Sequence, residues 1–343
     1  MKVLVTGGTG FVGAHAVVAL LDAGHDFRVL ARRPERVATT LGALGVDVDA
    51  LDIAVGDMVD PDAVGRAVKG MDAVIHSAAV VEVLDRKLAE QTVDTNVNGT
   101  RTVIDAAIAE GCDPIIHVSS IAAVFTPKVD IITTDLPNMT HAGNPYTRSK
   151  ALADELARER QASGAPVTIV YPGGVIGPPV GEICGDAAEG FASILRLGFL
   201  AVSEGGINVI DARDLGAVLA ATLEPGRGPR RYMVGGTLVP IGEIVAVFRR
   251  TTGRRIPTMP SPGSVYRGLG AMLDAIRRVI PFNTVFTAEA MQLLTLAKDT
   301  DDSAVHTDLG ITYRDPAQTL TDAVRGLYTA GHLTARQAGL AAQ

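Results

Sequence analysis

Short apolar, β-branched runs alternate with longer stretches of helical period through the first half of the chain. Lys2 to Thr6 reads as a strand, and Val12, Ala16, Ala19 and Leu20 recur on one face of a helix that Gly24 ends. Further strands are predicted at Phe27 to Leu30, Leu51 to Val55, Ala73 to His76, Ile115 to Ser119 and Val167 to Tyr171. Apolar residues fill both alternating positions of these runs, which suits strands covered by helices on both faces. The predicted fold is therefore α/β, with a doubly wound parallel sheet.

After Pro172 the pattern loosens and helical periods dominate. Asp211 to Leu223 reads as a helix and Arg231 to Val234 as a strand that returns to the main sheet. The expected organisation is a sheet domain of residues 1–175 and 207–236, a smaller, mostly helical C-terminal lobe of 176–206 and 237–331, and a frayed tail, 332–343. In that lobe Phe191, Ile194, Leu195, Leu197, Phe199 and Leu200 cluster. Val265, Leu269, Met272, Leu273, Ile276 and Ile280 form a helical stripe. Both read as core, although an apolar pocket would need the same composition.

Composition narrows the classes. Of 343 residues, 47% are apolar, which argues against disorder and leaves room for a large core. A net charge of −7 makes nucleic acid a poor default partner. Cys112 and Cys184 share no short spacing and suit a reducing compartment, and no His, Asp or Glu cluster has metal-ligand spacing. Gln161 to Gly181 is uncharged and long enough to span a bilayer, but Pro166, Pro172, Pro178 and Pro179 make it a strand followed by a loop. Gly7, Gly8, Gly10 and Gly13 interrupt the apolar start, so it is not read as a signal peptide. The expectation is a cytoplasmic protein, monomer or homodimer, without a transmembrane segment. Arg249-Arg250, Arg254-Arg255 and Arg277-Arg278 are read as a solvated face in preference to a peripheral membrane patch.

Thr6-Gly7-Gly8-Thr9-Gly10-Phe11-Val12-Gly13 joins the first strand to the first helix. Gly7 permits the tight turn, Gly10 lets backbone approach a pyrophosphate, and Gly13 lets helix and strand pack closely. The helix N-terminus then offers free N–H groups to phosphate. This context makes the sheet a Rossmann-type dinucleotide site. Nicotinamide enzymes that take NAD usually carry an acid at the end of the second strand. Ala31, Arg32 and Arg33 stand there instead, which favours NADP through a guanidinium–phosphate contact, with NAD as the alternative.

Asn144 suits a helix N-cap and Pro145 its first turn, so Tyr146 and Lys150, four residues apart, share one face. An ammonium beside a phenol favours the phenolate, and the pair is expected to lower the Tyr146 pKa towards neutrality. The pair follows a fifth strand that ends in Ser119-Ser120.

With these residues the chain resembles the extended short-chain dehydrogenases/reductases of the NAD-dependent epimerase/dehydratase superfamily. The likeness spans most of the sequence. Besides the glycine loop it rests on Gly56-Asp57, Asp72-Ala73-Val74-Ile75-His76-Ser77-Ala78-Ala79 and Asn96-Val97-Asn98-Gly99-Thr100. Val118-Ser119-Ser120, Tyr146-x-x-x-Lys150 and Tyr171-Pro172-Gly173-Gly174-Val175-Ile176-Gly177-Pro178 follow in order. The resemblance implies that Tyr146 is the general acid–base, that Ser120 bonds the substrate oxygen, and that Lys150 holds the nicotinamide ribose and tunes Tyr146. It implies cofactor contacts at Thr6, Gly7, Gly10, Phe11, Val12, Gly13, Arg32, Arg33, Asp57, Met58, Ser77, Ala78, Ala79, Lys150, Pro172 and Val175. Asn96 matches a residue that supports the site, and His76 and His117 are read as structural.

Departures from the family pattern choose among its activities. Ile121-Ala122-Ala123 replaces the Asp-Glu pair that dehydratases carry after the active-site serine. Tyr171 replaces an arginine before the Pro-Gly motif, and Pro179-Val180 replaces a further polar position, leaving fewer charges for a sugar diphosphate. The pattern looks most like the dihydroflavonol reductase and 3β-hydroxysteroid dehydrogenase branch. It implies hydride transfer between NADP(H) and a hydrophobic ketone or secondary alcohol. The alternatives are a nucleotide-sugar epimerase and a non-catalytic NAD(P)-binding sensor.

Overall fold

The computed structural model describes residues 1–49, 51–80, 86–202, 204–277 and 287–343. Its strands are β1 (Lys2–Thr6), β2 (Asp26–Ala31), β3 (Asp52–Val55), β4 (Ala73–His76), β5 (Ile115–Val118), β6 (Ile131–Ile132) and β7 (Val167–Pro172). They continue as β8 (Gly174–Ile176), β9 (Leu200–Val202), β10 (Gly206–Asp211), β11 (Arg230–Val234), β12 (Thr237–Pro240), β13 (Thr258–Pro260) and β14 (Asp299–Thr300). The helices used below are α1 (Phe11–Asp22), α2 (Pro34–Gly42), α3 (Pro61–Val68), α4 (Arg86–Glu110), α5 (Pro145–Ala162), α6 (Asp186–Leu197) and α7 (Ala212–Ala221). In the C-terminal part follow α8 (Ile241–Thr252), α9 (Gly263–Arg277), α10 (Ala288–Thr295), α11 (Ser303–Asp308), α12 (Pro316–Thr329) and α13 (Ala335–Ala338).

Seven strands form one sheet in the order β11-β7-β5-β4-β1-β2-β3, every neighbouring pair parallel. This is the Rossmann-type α/β fold that the strand pattern predicts. Alternate residues explain why. Val3, Val5, Val29, Ile75, Ile116 and Val170 enter one core, while Leu4, Leu30, Val74, Ile115, Ile169 and Tyr171 enter the other. A sheet buried on both faces must be apolar at both registers. The sequential order reverses between β1 and β4, which opens a crevice at their carboxyl ends.

After β7 the chain leaves this sheet and rejoins it at β11. In between, β8 and β10 pair in parallel, and β12 adds to β10 antiparallel. This second sheet runs through the expected boundary at 175/176. A third core of Phe191, Leu195, Ile244, Phe248, Leu320, Val324 and neighbours lies under it.

Two expectations are corrected. Residues 332–343 do not fray. Leu333 and Ala338 are buried, Thr334 and Gln337 form a reciprocal capping box, and Arg254 donates to the Gln337 carbonyl at 2.6 Å. The α9 stripe is not core. Val265 is 57% exposed, Leu269 39%, Met272 52% and Ile276 39%, because α9 docks through its opposite face, where Tyr266 and Gly270 are buried. The first apolar cluster splits: Phe191 and Leu195 are core, but Leu197 and Phe199 face outward. Ile280 and Arg278 lie outside the described residues. Among the described residues no helix is long and apolar enough to cross a membrane.

Candidate active site

The glycine loop sits at the crevice. Gly7 has φ +78°, and a Cβ there would lie 2.6 Å from the Ala78 nitrogen. A Cβ on Gly13 would lie 2.2 Å from the Gly7 carbonyl oxygen and 2.9 Å from Ser77 Oγ. Only glycine fits either place. Gly10 caps α1 with no side chain bonded to the helix end and no acid in the first turn. An uncapped N-terminus of this kind is suited to an anion, so the residues present fit a dinucleotide pyrophosphate.

The ends of β1 and β4 are tied together. Thr6 Oγ1 bonds His76 Nδ1 at 2.7 Å, and Ser77 Oγ donates to the Thr6 carbonyl at 2.8 Å. His76 also meets Thr100 at 3.1 Å and stacks on His117 at 5.6 Å. Burial pushes the His76 pKa down to about 3 and that of His117 well below its ordinary value, so both are neutral spacers. Ser77, Ala78 and Ala79 stay half-exposed along the crevice. Phe11 is buried against Gly185, whose Cβ would stand 2.8 Å from the ring, and the Val175 carbonyl lies on the same spot. Val12 is half-buried. Pro172 is buried at the end of β7.

Arg32 and Arg33 are exposed at the end of β2, and Arg32 Nη1 is 3.8 Å from Asp57 Oδ2. Met58 is different: its side chain is buried among Leu4, Leu30 and Val64 and presses on Gly99.

Asn144 Oδ1 accepts from the Tyr146 and Thr147 backbone N–H groups, and Pro145 occupies the first turn, so α5 begins as its sequence predicts. Tyr146 is half-buried and lies beside Ser120. Ser120 is itself fixed: its Oγ accepts from the Ala122 N–H at 3.2 Å. Lys150 Nζ donates to the Val118 carbonyl at 3.1 Å. Ser120, Tyr146 and Lys150 are thus brought together by the end of β5 and the first turns of α5.

The expected pKa effect is reversed. Burial, then the nearby carboxyl groups of Asp186 and Glu289, push Tyr146 up to about 12, and Ser120 only partly opposes them. The Lys150 ammonium is spent on a β5 carbonyl, and its own burial pulls it down to about 8 despite Asp154. At neutral pH Tyr146 is a protonated donor.

Three groups escaped sequence reading. Asp154 lies one turn beyond Lys150, wholly buried, paired with Arg158 at 2.8 Å and bonded by the Tyr171 hydroxyl at 3.2 Å. Arg158 also donates to the Leu136 and Thr134 carbonyls. The Tyr146, Lys150, Asp154, Arg158 series at steps of four was a usable signal. Asp186 and Glu289 left none, because only folding brings α6 and α10 to α5. Burial pushes Glu289 up to about 7, and Thr147 Oγ1 donates to it. Asn96 supports the site from α4: it bonds the Val80 N–H at 2.8 Å and carbonyl at 2.9 Å, and donates to Ser149 Oγ at 3.3 Å.

Sequence spacing also hid one trio: Cys184 Sγ, Glu189 and His332 offer donor atoms all within 4.8 Å. Its members are already paired, Cys184 donating to Glu189 at 3.6 Å and Arg196 donating to the other Glu189 oxygen at 2.6 Å.

Comparison with known proteins places the chain in a family. The family model described as NAD dependent epimerase/dehydratase family matches residues 3–235. The chain is 30% identical over 333 residues to "Sterol demethylase protein B" of Methylococcus capsulatus, covering 94% of this chain and 97% of that one. It is 30% identical over 275 residues to "Putative dihydroflavonol 4-reductase" of Synechocystis, covering 75% and 74%. Its fold matches the UDP-glucose-4-epimerase of Stenotrophomonas maltophila, solved with bound NAD, at a TM-score of 0.73 and 20% identity over 94% of this chain and 96% of that one. The chain belongs to the NAD-dependent epimerase/dehydratase family and is an enzyme of the extended short-chain dehydrogenase/reductase type.

Proposed function

We propose that this enzyme reduces a hydrophobic ketone, or oxidises the matching secondary alcohol, with NADP(H), on a substrate of steroid or flavanone character. The observation that carries the reading is a protonated Tyr146 one helical turn from Lys150, whose Nζ is fixed on the Val118 carbonyl at the end of β5, just ahead of Ser120. The nicotinamide supplies or accepts the hydride. In the reducing direction Tyr146 Oη gives its proton to the carbonyl oxygen as that oxygen gains charge. Ser120 Oγ donates a second hydrogen bond to the same oxygen and fixes its position. Lys150, anchored on the Val118 carbonyl, would hold the cofactor ribose. Asp154 and Arg158 anchor the helix turn below.

The cofactor end of the site would be formed by the glycine loop, Ser77 to Ala79, Asp57 and the Arg32 and Arg33 pair, which favours a 2′-phosphate over a bare ribose. The substrate would be enclosed by the 176–206 and 237–331 segments, which supply Asp186 and Glu289. A sterol-related relative aligned along nearly the whole chain supports a polycyclic apolar substrate. The epimerase alternative is weaker here. Tyr171, at the position where the family pattern has an arginine, is wholly buried against Asp154 and Arg158 and brings no charge to a sugar diphosphate.

The test is a panel of 3-ketosteroids, dihydroflavonols and nucleotide sugars, run with NADPH and NADH in parallel and followed by nicotinamide absorbance. Turnover of an apolar ketone with NADPH preferred is expected. Turnover of a nucleotide sugar alone would overturn the substrate assignment, and equal use of both cofactors would overturn the role given to Arg32.

A further inference from the structure

A turn, a helix and the C-terminal segment meet at one point of the smaller lobe. Val180 and Ile183 exchange backbone hydrogen bonds at 2.8 and 2.9 Å, closing a tight turn just ahead of Cys184. Glu189 stands in the first turn of α6, and His332 follows α12. Cys184 Sγ, a Glu189 oxygen and a His332 ring nitrogen all lie within 4.8 Å of one another, and all three side chains are partly exposed. The proposed hydride transfer uses none of them.

The hydrogen bonds around the trio aim its lone pairs inward. A carbonyl only accepts, so His332 Nε2, 3.0 Å from the Glu182 carbonyl, carries a proton. In the neutral ring Nδ1 then keeps a lone pair. That nitrogen faces Glu189 Oε2 at 4.0 Å, beyond hydrogen-bond reach, and among the described residues no hydrogen bond ends on it. Arg196 Nη1 holds the other carboxylate oxygen, Oε1, at 2.6 Å, while its Nε and Nη2 hold the His332 carbonyl at 3.2 and 3.1 Å. Oε2 is left for the thiol, at 3.6 Å, and for the ring. A histidine bonded through its far nitrogen to a carbonyl, and a carboxylate held from behind, are the outer supports of a metal site.

The spans suit zinc. With sulfur at about 2.3 Å and oxygen or nitrogen at about 2.0–2.2 Å from a tetrahedral ion, ligand atoms stand about 3.3–3.7 Å apart. The Cys184–Glu189 distance of 3.6 Å falls inside that range, and the Glu189–His332 distance of 4.0 Å is a little wide of it. Thiolate, imidazole and carboxylate together are a zinc set, and the sulfur disfavours magnesium and calcium. Binding takes the sulfur as thiolate, so the proton that Cys184 donates to Glu189 leaves to solvent. The Arg196 bonds stay as they are.

We propose that Cys184, Glu189 and His332 are a zinc site, with water as fourth ligand, that clips the C-terminal segment and α6 to the turn beside the glycine loop. Gly185, the residue after Cys184, lies against Phe11 of that loop, where a Cβ would stand 2.8 Å from the ring. The ion therefore braces the stretch that backs the cofactor crevice.

The experiment is titration of the full chain, first stripped with chelator, with cobalt(II) and then zinc. Cobalt should give a near-ultraviolet thiolate charge-transfer band and the visible bands of a tetrahedral ion, and an equimolar amount of zinc should bleach both. Cys184→Ser should lose the charge-transfer band. Glu189→Gln and His332→Ala, in competition with a chromophoric chelator, should bind zinc at least about tenfold more weakly than wild type. Three results would overturn the proposal. Wild type could show no charge-transfer band at saturating cobalt. The band could persist in Cys184→Ser, which would place the metal on Cys112. His332→Ala could bind zinc as tightly as wild type does.

Discussion

Lys150→Met offers a sharp test, because the geometry predicts a more stable but inactive protein. Burial lowers Lys150 from an ordinary 10.5 to about 8. At about 1.4 kcal/mol per pH unit, holding the ammonium in the fold at pH 7 costs roughly 3 kcal/mol. Methionine removes that cost and keeps most of the stem volume. It also leaves the Val118 carbonyl without its 3.1 Å donor, a loss of about 1–3 kcal/mol. The net gain at pH 7 is about 0–2 kcal/mol. The sign with pH is definite. Between about 8 and 10.5 the unfolded lysine keeps a proton that the folded one has lost, so wild type gains stability as pH rises. The advantage of the variant must therefore be full below pH 8 and shrink across that window. Urea denaturation at pH 7 and at pH 9.5 measures both, and nicotinamide absorbance measures the loss of turnover. A variant less stable than wild type at pH 7, or one whose advantage is flat with pH, would show that Lys150 is not held as described.

Other outcomes follow from the same geometry. Arg32→Asp should move the NADPH to NADH ratio of kcat/KM towards NADH by at least about tenfold, since a carboxylate repels a 2′-phosphate and accepts from ribose hydroxyls. Gly13→Ala should abolish cofactor binding by nicotinamide fluorescence, because its Cβ would stand 2.2 Å from the Gly7 carbonyl oxygen and push the loop out of place. Asn96→Ala should lose about 2–4 kcal/mol in urea denaturation, because the Val80 N–H and carbonyl both lose their partner. A stability within about 0.5 kcal/mol of wild type would remove Asn96 from its supporting place.

The sheet was legible because its physics is local. Strands such as Val3-Leu4-Val5 are covered on both faces, so every position is apolar, and the glycine loop marks where β1 turns into α1. The Asn144-Pro145 start of α5 was legible for the same reason, being a cap read within four residues. What failed depended on distant contacts. The α9 stripe has the period of a core helix, and only its docking through Gly270 shows that the stripe faces out. The Tyr146–Lys150 spacing gave a shared helix face but not where the ammonium points. The Val118 carbonyl takes it, while Asp186 and Glu289 arrive from far along the chain.

The central claim is that Tyr146 passes the proton during hydride transfer to an apolar ketone. Tyr146→Phe tests it most directly, with NADPH oxidation, chromatography of the alcohol product and cofactor affinity measured on one preparation. The account predicts that kcat falls by at least about 10²-fold, as for loss of a positioned general acid, while the NADPH Kd stays within about twofold. Undiminished alcohol formation by the variant would contradict it.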